Sequence, residues 1–136
     1  MSKVLILCTG NSCRSQMAEG LIANFFSKIQ VYSAGTKPEK VNPFAVKAMA
    51  EMGIDISANV SNHADEYAHI DFDYVFTVCD NAKEICPIYP KAKQLIHHSF
   101  SDPADATGTE KEQLKVYVAV RNELSAYFTS FFKGKS

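Results

Sequence analysis

The chain has 136 residues, 46% of them hydrophobic and 21% charged, with a formal net charge of −1. That length and balance predict one soluble domain over residues 1–136 with its own core. Charge so close to zero argues against nucleic acid or an anionic membrane as partner. No apolar run approaches membrane-spanning length, and the N terminus enters a strand without a signal-like segment, so a cytoplasmic location is expected.

Residues 4–7, Val-Leu-Ile-Leu, form a short unbroken apolar run, the pattern of a parallel strand buried on both faces. The run breaks at Cys8, and the small polar stretch Thr9, Gly10, Asn11, Ser12 follows before helix-forming residues resume at Gln16. Strand, tight loop and helix N-terminus together make an anion site, because backbone N–H groups converge there and the helix dipole adds positive potential. Arg14 supplies a planar fork that can grip two oxygens of a tetrahedral oxyanion. The field that holds an anion also favours a thiolate over a thiol, so Cys8 is placed as a nucleophile beneath a phosphate-shaped cradle. Ser15 is in position to hydrogen-bond the Cys8 sulfur, and Asn11 to fix the loop. Gly-x-Gly-x-x-Gly and Walker patterns are absent, so nothing points to a bound nucleotide.

The first helix is predicted over 15–28, with Met17, Leu21, Ile22, Phe25 and Phe26 facing inward. A second strand follows over 31–34, ended by Gly35 and a polar loop. Helix two opens on Asn42 as N-cap with Pro43 in its first turn, and stops before Gly53. Its Met49 and Met52 read as core filler. Residues 54–62 are ambiguous, and His63 and His69 read as solvated. A third strand over 74–78 ends at another cysteine, Cys79. Residues 80–85 fit a short helix that Pro87 would stop. A fourth strand over 94–97 leads into a long polar loop containing Asp102-Pro103. The last helix opens on Thr109-x-x-Glu112, a capping box, and carries Leu114, Tyr117, Val120, Leu124, Phe128 and Phe131 as a core stripe. Strands alternating with helices predict an α/β fold, a four-stranded parallel sheet with helices on both faces. In such sheets ligands bind at the carboxyl ends of the strands, the edge at which Cys8, Cys79 and the Asp102 loop all arrive.

Four cysteines invite a disulfide framework, but a cytosolic chain of this size does not need one. The gaps of four residues between Cys8 and Cys13, and six between Cys79 and Cys86, fit zinc sites poorly, so no metal is expected. Redox or nucleophilic use is the better reading. Asp102, with Asp105 as fallback, is a candidate general acid, since a bound anion's charge would favour its protonated form. On the residues alone, Asp102-Pro103 serves equally as a turn starter.

The stretch Cys-Thr-Gly-Asn-Ser-Cys-Arg-Ser-Gln-Met-Ala-Glu-Gly resembles the phosphate loop of the low-molecular-weight protein tyrosine phosphatase superfamily, and most closely its thioredoxin-coupled arsenate reductase branch. The likeness continues through 31–35, Val41-Asn42-Pro43, 55–57, 79–87 and Asp102-Pro103, nearly the whole chain. It implies a flavodoxin-like three-layer sandwich, an oxyanion cradle of Thr9, Gly10, Asn11, Ser12, Cys13, Arg14 and Ser15, and catalysis by Cys8, Arg14, Cys79, Cys86 and Asp102. Arsenate copies phosphate in shape and charge, but an arsenic–sulfur adduct can take two electrons from a second thiolate. The implied relay runs from Cys8 to Cys79 to Cys86 by thiol–disulfide exchange, with thioredoxin as external reductant, no cofactor, and a monomer as the working unit. If Cys79 and Cys86 bracket two helical turns, seven residues at ~1.5 Å rise hold them roughly 10.5 Å apart. A disulfide needs Cα atoms within ~7 Å, so residues 80–85 must unwind on oxidation. Cys13 reads as loop packing. The potassium site of some such reductases would map to Asn11, Glu19 and Ser33, with Asn62 where an aspartate is usual, which weakens it. The rival is a tyrosine phosphatase using Cys8, Arg14 and Asp102. Ala104 stands where those enzymes place an aromatic residue, there is no tryptophan, and Cys79 and Cys86 would have no role in it.

Overall fold

The computed structural model describes residues 2–79 and 92–134. Four parallel strands, β1 (Ser2–Cys8), β2 (Ile29–Gly35), β3 (Phe72–Thr77) and β4 (Ala92–His97), form one sheet in the order β2-β1-β3-β4. Among the described residues the long helices are α1 (Arg14–Phe25), α2 (Pro43–Ala50) and α3 (Glu110–Phe132). Alternation along β1 divides the core. Val4 and Ile6 pack with α1, α2 and α3, while Leu5 and Leu7 face a smaller cluster with Phe72, Val75 and the 3-10 turn Ala64–Tyr67. Both faces of the central strand are therefore covered, as a run of four apolar residues requires.

The helix boundaries follow local chemistry. Asn42 Oδ1 accepts from the Phe44 N–H at 2.8 Å, and Pro43 takes the first helical position of α2. Thr109 and Glu112 form a reciprocal capping box at the start of α3, at 3.1 and 3.2 Å. The aromatic stripe of α3 packs on the sheet around Phe76, whose ring lies 5.0 Å from both Phe128 and Phe131. Arg121, buried on the same helix, donates from Nη1 to the Ala48 carbonyl at 2.7 Å and ties α3 to the end of α2.

Two core assignments change. Helix α1 stops at Phe25 rather than running to 28, because Phe26 leaves helical geometry (φ −132°, ψ 88°) and packs against Phe132. Phe25, the last residue of that helix, is 43% exposed instead of inward. Met52 lies beyond the end of α2 and is 37% exposed, whereas Met49 is fully buried. The expected helix over 80–85, and Cys86 with it, lie outside the described residues. No helix among the described residues is long and apolar enough to cross a membrane.

Candidate active site

Strand β1 ends at Cys8 and helix α1 begins at Arg14, so five residues make the turn between them. The turn is possible because Asn11 takes a left-handed conformation (φ 50°). Its buried side chain fixes it there: Nδ2 donates to Ser15 Oγ (2.8 Å) and Ser33 Oγ (2.9 Å), while Oδ1 accepts from Gln16 Nε2 (3.2 Å) and the Asn62 N–H (2.9 Å). Four residues from three parts of the fold, helix α1, strand β2 and the segment at Asn62, thereby lock one loop residue. No side chain caps α1 at Cys13 and no acidic residue sits in its first turn, which leaves its N-terminal amides and dipole for an anion.

The cavity over this loop measures about 130 Å³ and is lined by Cys8, Thr9, Gly10, Ser12, Cys13, Arg14, Glu39, Asp102 and Ala104. That is well below the volume of pockets that take drug-sized ligands, and suits a small tetrahedral ion. Arg14 is 2% exposed, and its Nη1 donates to the Phe100 carbonyl at 3.0 Å while Nη2 lies 3.6 Å from Asp102 Oδ2. The guanidinium is thus aimed by a loop 86 residues away in sequence. Asp102 reaches the cavity from the other side, held by its Oδ1, which accepts from the Ala104 N–H at 3.0 Å. Asp105, the fallback acid, is exposed and not among the lining residues.

Within the loop, the side chains of Asn11 and Ser15 turn into the interior instead of the cavity, so any part they take in anion binding falls to their backbone N–H groups. Ser15 Oγ is engaged by Asn11. Cys13 lies in the cavity wall 3.3 Å from Ser12 Oγ. Burial pushes its thiol up to about 11, with the Ser12 hydrogen bond opposing, so it stays a neutral thiol near pH 7. Burial raises the pKa of the Tyr117 hydroxyl, which interacts with Cys13 and Asn42. Helical periodicity identifies Tyr117 as core, and its ring is; nothing in that periodicity reveals where its hydroxyl ends. Glu39 carries no motif either, and it enters the cavity because the loop after β2 is strapped to the phosphate loop.

Cys79 is fully buried and disulfide-bonded, whereas Cys8 and Cys13 are free. The register pairs Leu7 with Thr77, and the Val78 N–H donates to the Leu7 carbonyl at 3.0 Å. Cys8 and Cys79 therefore leave adjacent strands at the same edge, one residue out of step. His63 accepts from the Asp65 N–H at 3.0 Å as cap of its 3-10 turn, and His69 is exposed.

The potassium candidates do come together. Ser33 Oγ donates to Glu19 Oε1 at 2.5 Å and receives from Asn11. Yet the group closes on itself: Asn11 Oδ1 is already doubly engaged, Asn62 points a backbone N–H donor inward, and Glu19 supplies the one carboxylate, its ionised form disfavoured by burial. This donor set does not fit a cation cage, and no reaction step is routed through one.

A parallel sheet whose central strand delivers a cysteine under a helix N-terminus, faced by an arginine and a carboxyl group, defines a class of proteins that bind tetrahedral oxyanions and attack them through sulfur. The chain belongs to the low molecular weight phosphotyrosine protein phosphatase family, whose pattern it matches over residues 3–132. It is 45% identical over 129 residues to an arsenate reductase of Halalkalibacterium halodurans, covering 94% of this chain and 93% of that one. Two solved structures cover 100% of both chains: an arsenate reductase in a phosphate binding state (TM-score 0.85, 31% identity) and one in an oxidised state (TM-score 0.82, 29% identity).

Proposed function

We infer that this chain reduces arsenate to arsenite by a three-thiol relay. The observation that carries the reading is the distribution of cysteine states: a free Cys8 in the cradle beside a disulfide-bonded Cys79 at the adjacent strand end. A phosphatase needs the first and has no use for the second.

In the first step the Cys8 thiolate attacks arsenic, a sulfur–arsenic bond forms, and Asp102 gives its proton to the departing hydroxide, which leaves as water. Arg14 and the loop amides hold the remaining oxygens. The Cys79 thiolate then attacks Cys8 Sγ; the sulfur–arsenic electron pair stays on arsenic, reducing As(V) to As(III), and arsenite leaves behind a Cys8–Cys79 disulfide. Cys86 attacks Cys79, returning Cys8 as thiolate and moving the oxidation to Cys79–Cys86. An external dithiol, thioredoxin, reduces that bond. The enzyme acts as a monomer in the cytoplasm, where the thiol pool keeps the relay charged. The small wall residue Ala104 offers no ring to flank an aryl ester, which favours the inorganic ion over phosphotyrosine.

The test is arsenate-dependent NADPH oxidation through a thioredoxin system, run beside para-nitrophenyl phosphate hydrolysis, on the wild type and on Cys86→Ser. The wild type turns over arsenate repeatedly. Cys86→Ser loses multiple turnover yet retains aryl phosphate hydrolysis. Undiminished arsenate turnover in the variant would refute the relay.

A further inference from the structure

Glu39 is out of place on electrostatic grounds. An anion cradle with a single guanidinium already has one carboxylate, Asp102, in its lining, and Glu39 adds a second. Its placement is built into the backbone. The Glu39 N–H donates to the Gly10 carbonyl (2.8 Å), and the Lys37 and Asn42 N–H groups donate to Thr9 (2.9 Å) and Ser12 (3.0 Å). The Ser61 hydroxyl bridges the carbonyls of Glu39 and Asn11. The side chain lies over Gly10, where a Cβ would meet Oε2 at 3.4 Å. Among the described residues no salt bridge occupies its carboxylate.

A carboxylate beside a bound oxyanion repels it unless the ligand carries a proton between them. Hydrogen arsenate and hydrogen phosphate carry one; sulfate, of the same shape and charge as the phosphate dianion, does not. A phosphate ester has carbon on its outward oxygen instead. We propose that Glu39 is a specificity-determining residue that accepts a hydrogen bond from the O–H of a protonated inorganic oxyanion and so selects it over unprotonated anions and over esters. The proposal deepens the arsenate reductase reading and rests on its cradle.

With three oxygens on the loop amides and Arg14, the fourth points outward, opposite the Cys8 sulfur. In arsenate that oxygen is a hydroxyl. Asp102 donates a proton to it while Glu39 accepts a hydrogen bond from the proton already there, and the group departs as water. Glu39 begins and ends the step as a carboxylate. In an aryl ester the same position sets carbon against the carboxylate, and the acceptor has no partner. Two carboxylates in the lining thus have different tasks, one giving a proton and one recognising a proton.

The test compares hydrogen phosphate with sulfate as competing anions, titrated calorimetrically against the reduced wild-type chain, Glu39→Gln and Glu39→Ala at a mildly alkaline pH where both are dianions. Simple loss of negative charge would strengthen both equally. Loss of a charged acceptor lowers the preference for hydrogen phosphate by about tenfold in both variants, the size expected of one hydrogen bond to an ionised group. Because the ratio is taken on one sample, partial unfolding does not disturb it. In parallel, the ratio of kcat/KM for arsenate to that for para-nitrophenyl phosphate falls by about tenfold. An unchanged phosphate-to-sulfate ratio, or arsenate and ester rates moving together, overturns the proposal. A shifted anion ratio in a chain whose wild type fails to reduce arsenate would uphold Glu39 as the proton reader and refute the reductase reading instead.

Discussion

Gly35→Ala tests whether the cradle depends on the close approach of β2 to the loop. Gly35 ends β2 opposite Cys8, and its N–H donates to the Asn62 carbonyl at 2.9 Å. A Cβ there would lie 2.4 Å from the Thr9 carbonyl oxygen and 3.0 Å from both the Asn11 N and the Cys8 O. Real Cβ contacts do not fall below 3.0 Å, so the Thr9 oxygen must retreat by the difference between 2.4 and 3.0 Å. All three neighbours are backbone atoms, and Thr9 O is also bonded to the Lys37 N–H, so the displacement passes into the loop as a unit. A misplacement approaching 1 Å in a catalytic cradle costs on the order of 100-fold in rate, and overpacking costs about 1–3 kcal/mol in stability. The assay is kcat/KM for both arsenate and para-nitrophenyl phosphate, with thermal melting alongside. Gly20→Ala is the control: its closest Cβ contacts would be the Met49 and Ile56 side chains, at 3.0 and 3.1 Å and away from the site, and it should leave both rates little changed. Gly35→Ala with rates within about threefold of wild type would refute the argument.

Asn11→Ala loses four hydrogen bonds and forces a Cβ-bearing residue without side-chain support into φ 50°. The expected destabilisation is about 3 kcal/mol, read by urea unfolding, with Asn11→Gly losing less because it keeps the backbone freedom; equal losses would deny the backbone a part. Glu19→Gln tests the buried carboxyl. Burial raises its pKa in the folded state, so the unfolded chain ionises first and the native state holds the extra proton. Wild-type stability therefore falls as pH rises from about 4.3, the unfolded carboxylate value, through the raised folded value. The variant lacks that penalty, so its stability relative to wild type should grow from acid to neutral pH. A difference that does not change with pH would contradict the assignment.

What could be read from the sequence is what short-range chemistry dictates. The apolar run 4–7, the turn at Gly10-Asn11, the Asn42-Pro43 start and the Thr109-x-x-Glu112 box each carry their cause within a few residues, and each fixes an element boundary. Met52 is exposed because apolar spacing continues past Ala50, where the chain has already left the helix; at the end of α1 it is Phe26, just outside the helix, that packs on Phe132, while Phe25, the last helical residue, faces out. The least legible part is the orientation of the charged groups. Arg14 is visible as a cation at a helix start, but its grip is set by the Phe100 carbonyl and Asp102, delivered by the loop between β4 and α3. Glu39 is one of several charges in a polar loop, and reaches the cavity only because backbone N–H groups of residues 37, 39 and 42 are matched to loop carbonyls of residues 9, 10 and 12. Those bonds are blind to side-chain identity, so no residue pattern advertises them. The same blindness lets position 39 change without disturbing the cradle. A backbone strap that holds the loop whatever side chain it carries separates folding of the anion site from its selectivity, and that separation is why a single charge at position 39 can alter which oxyanion is favoured.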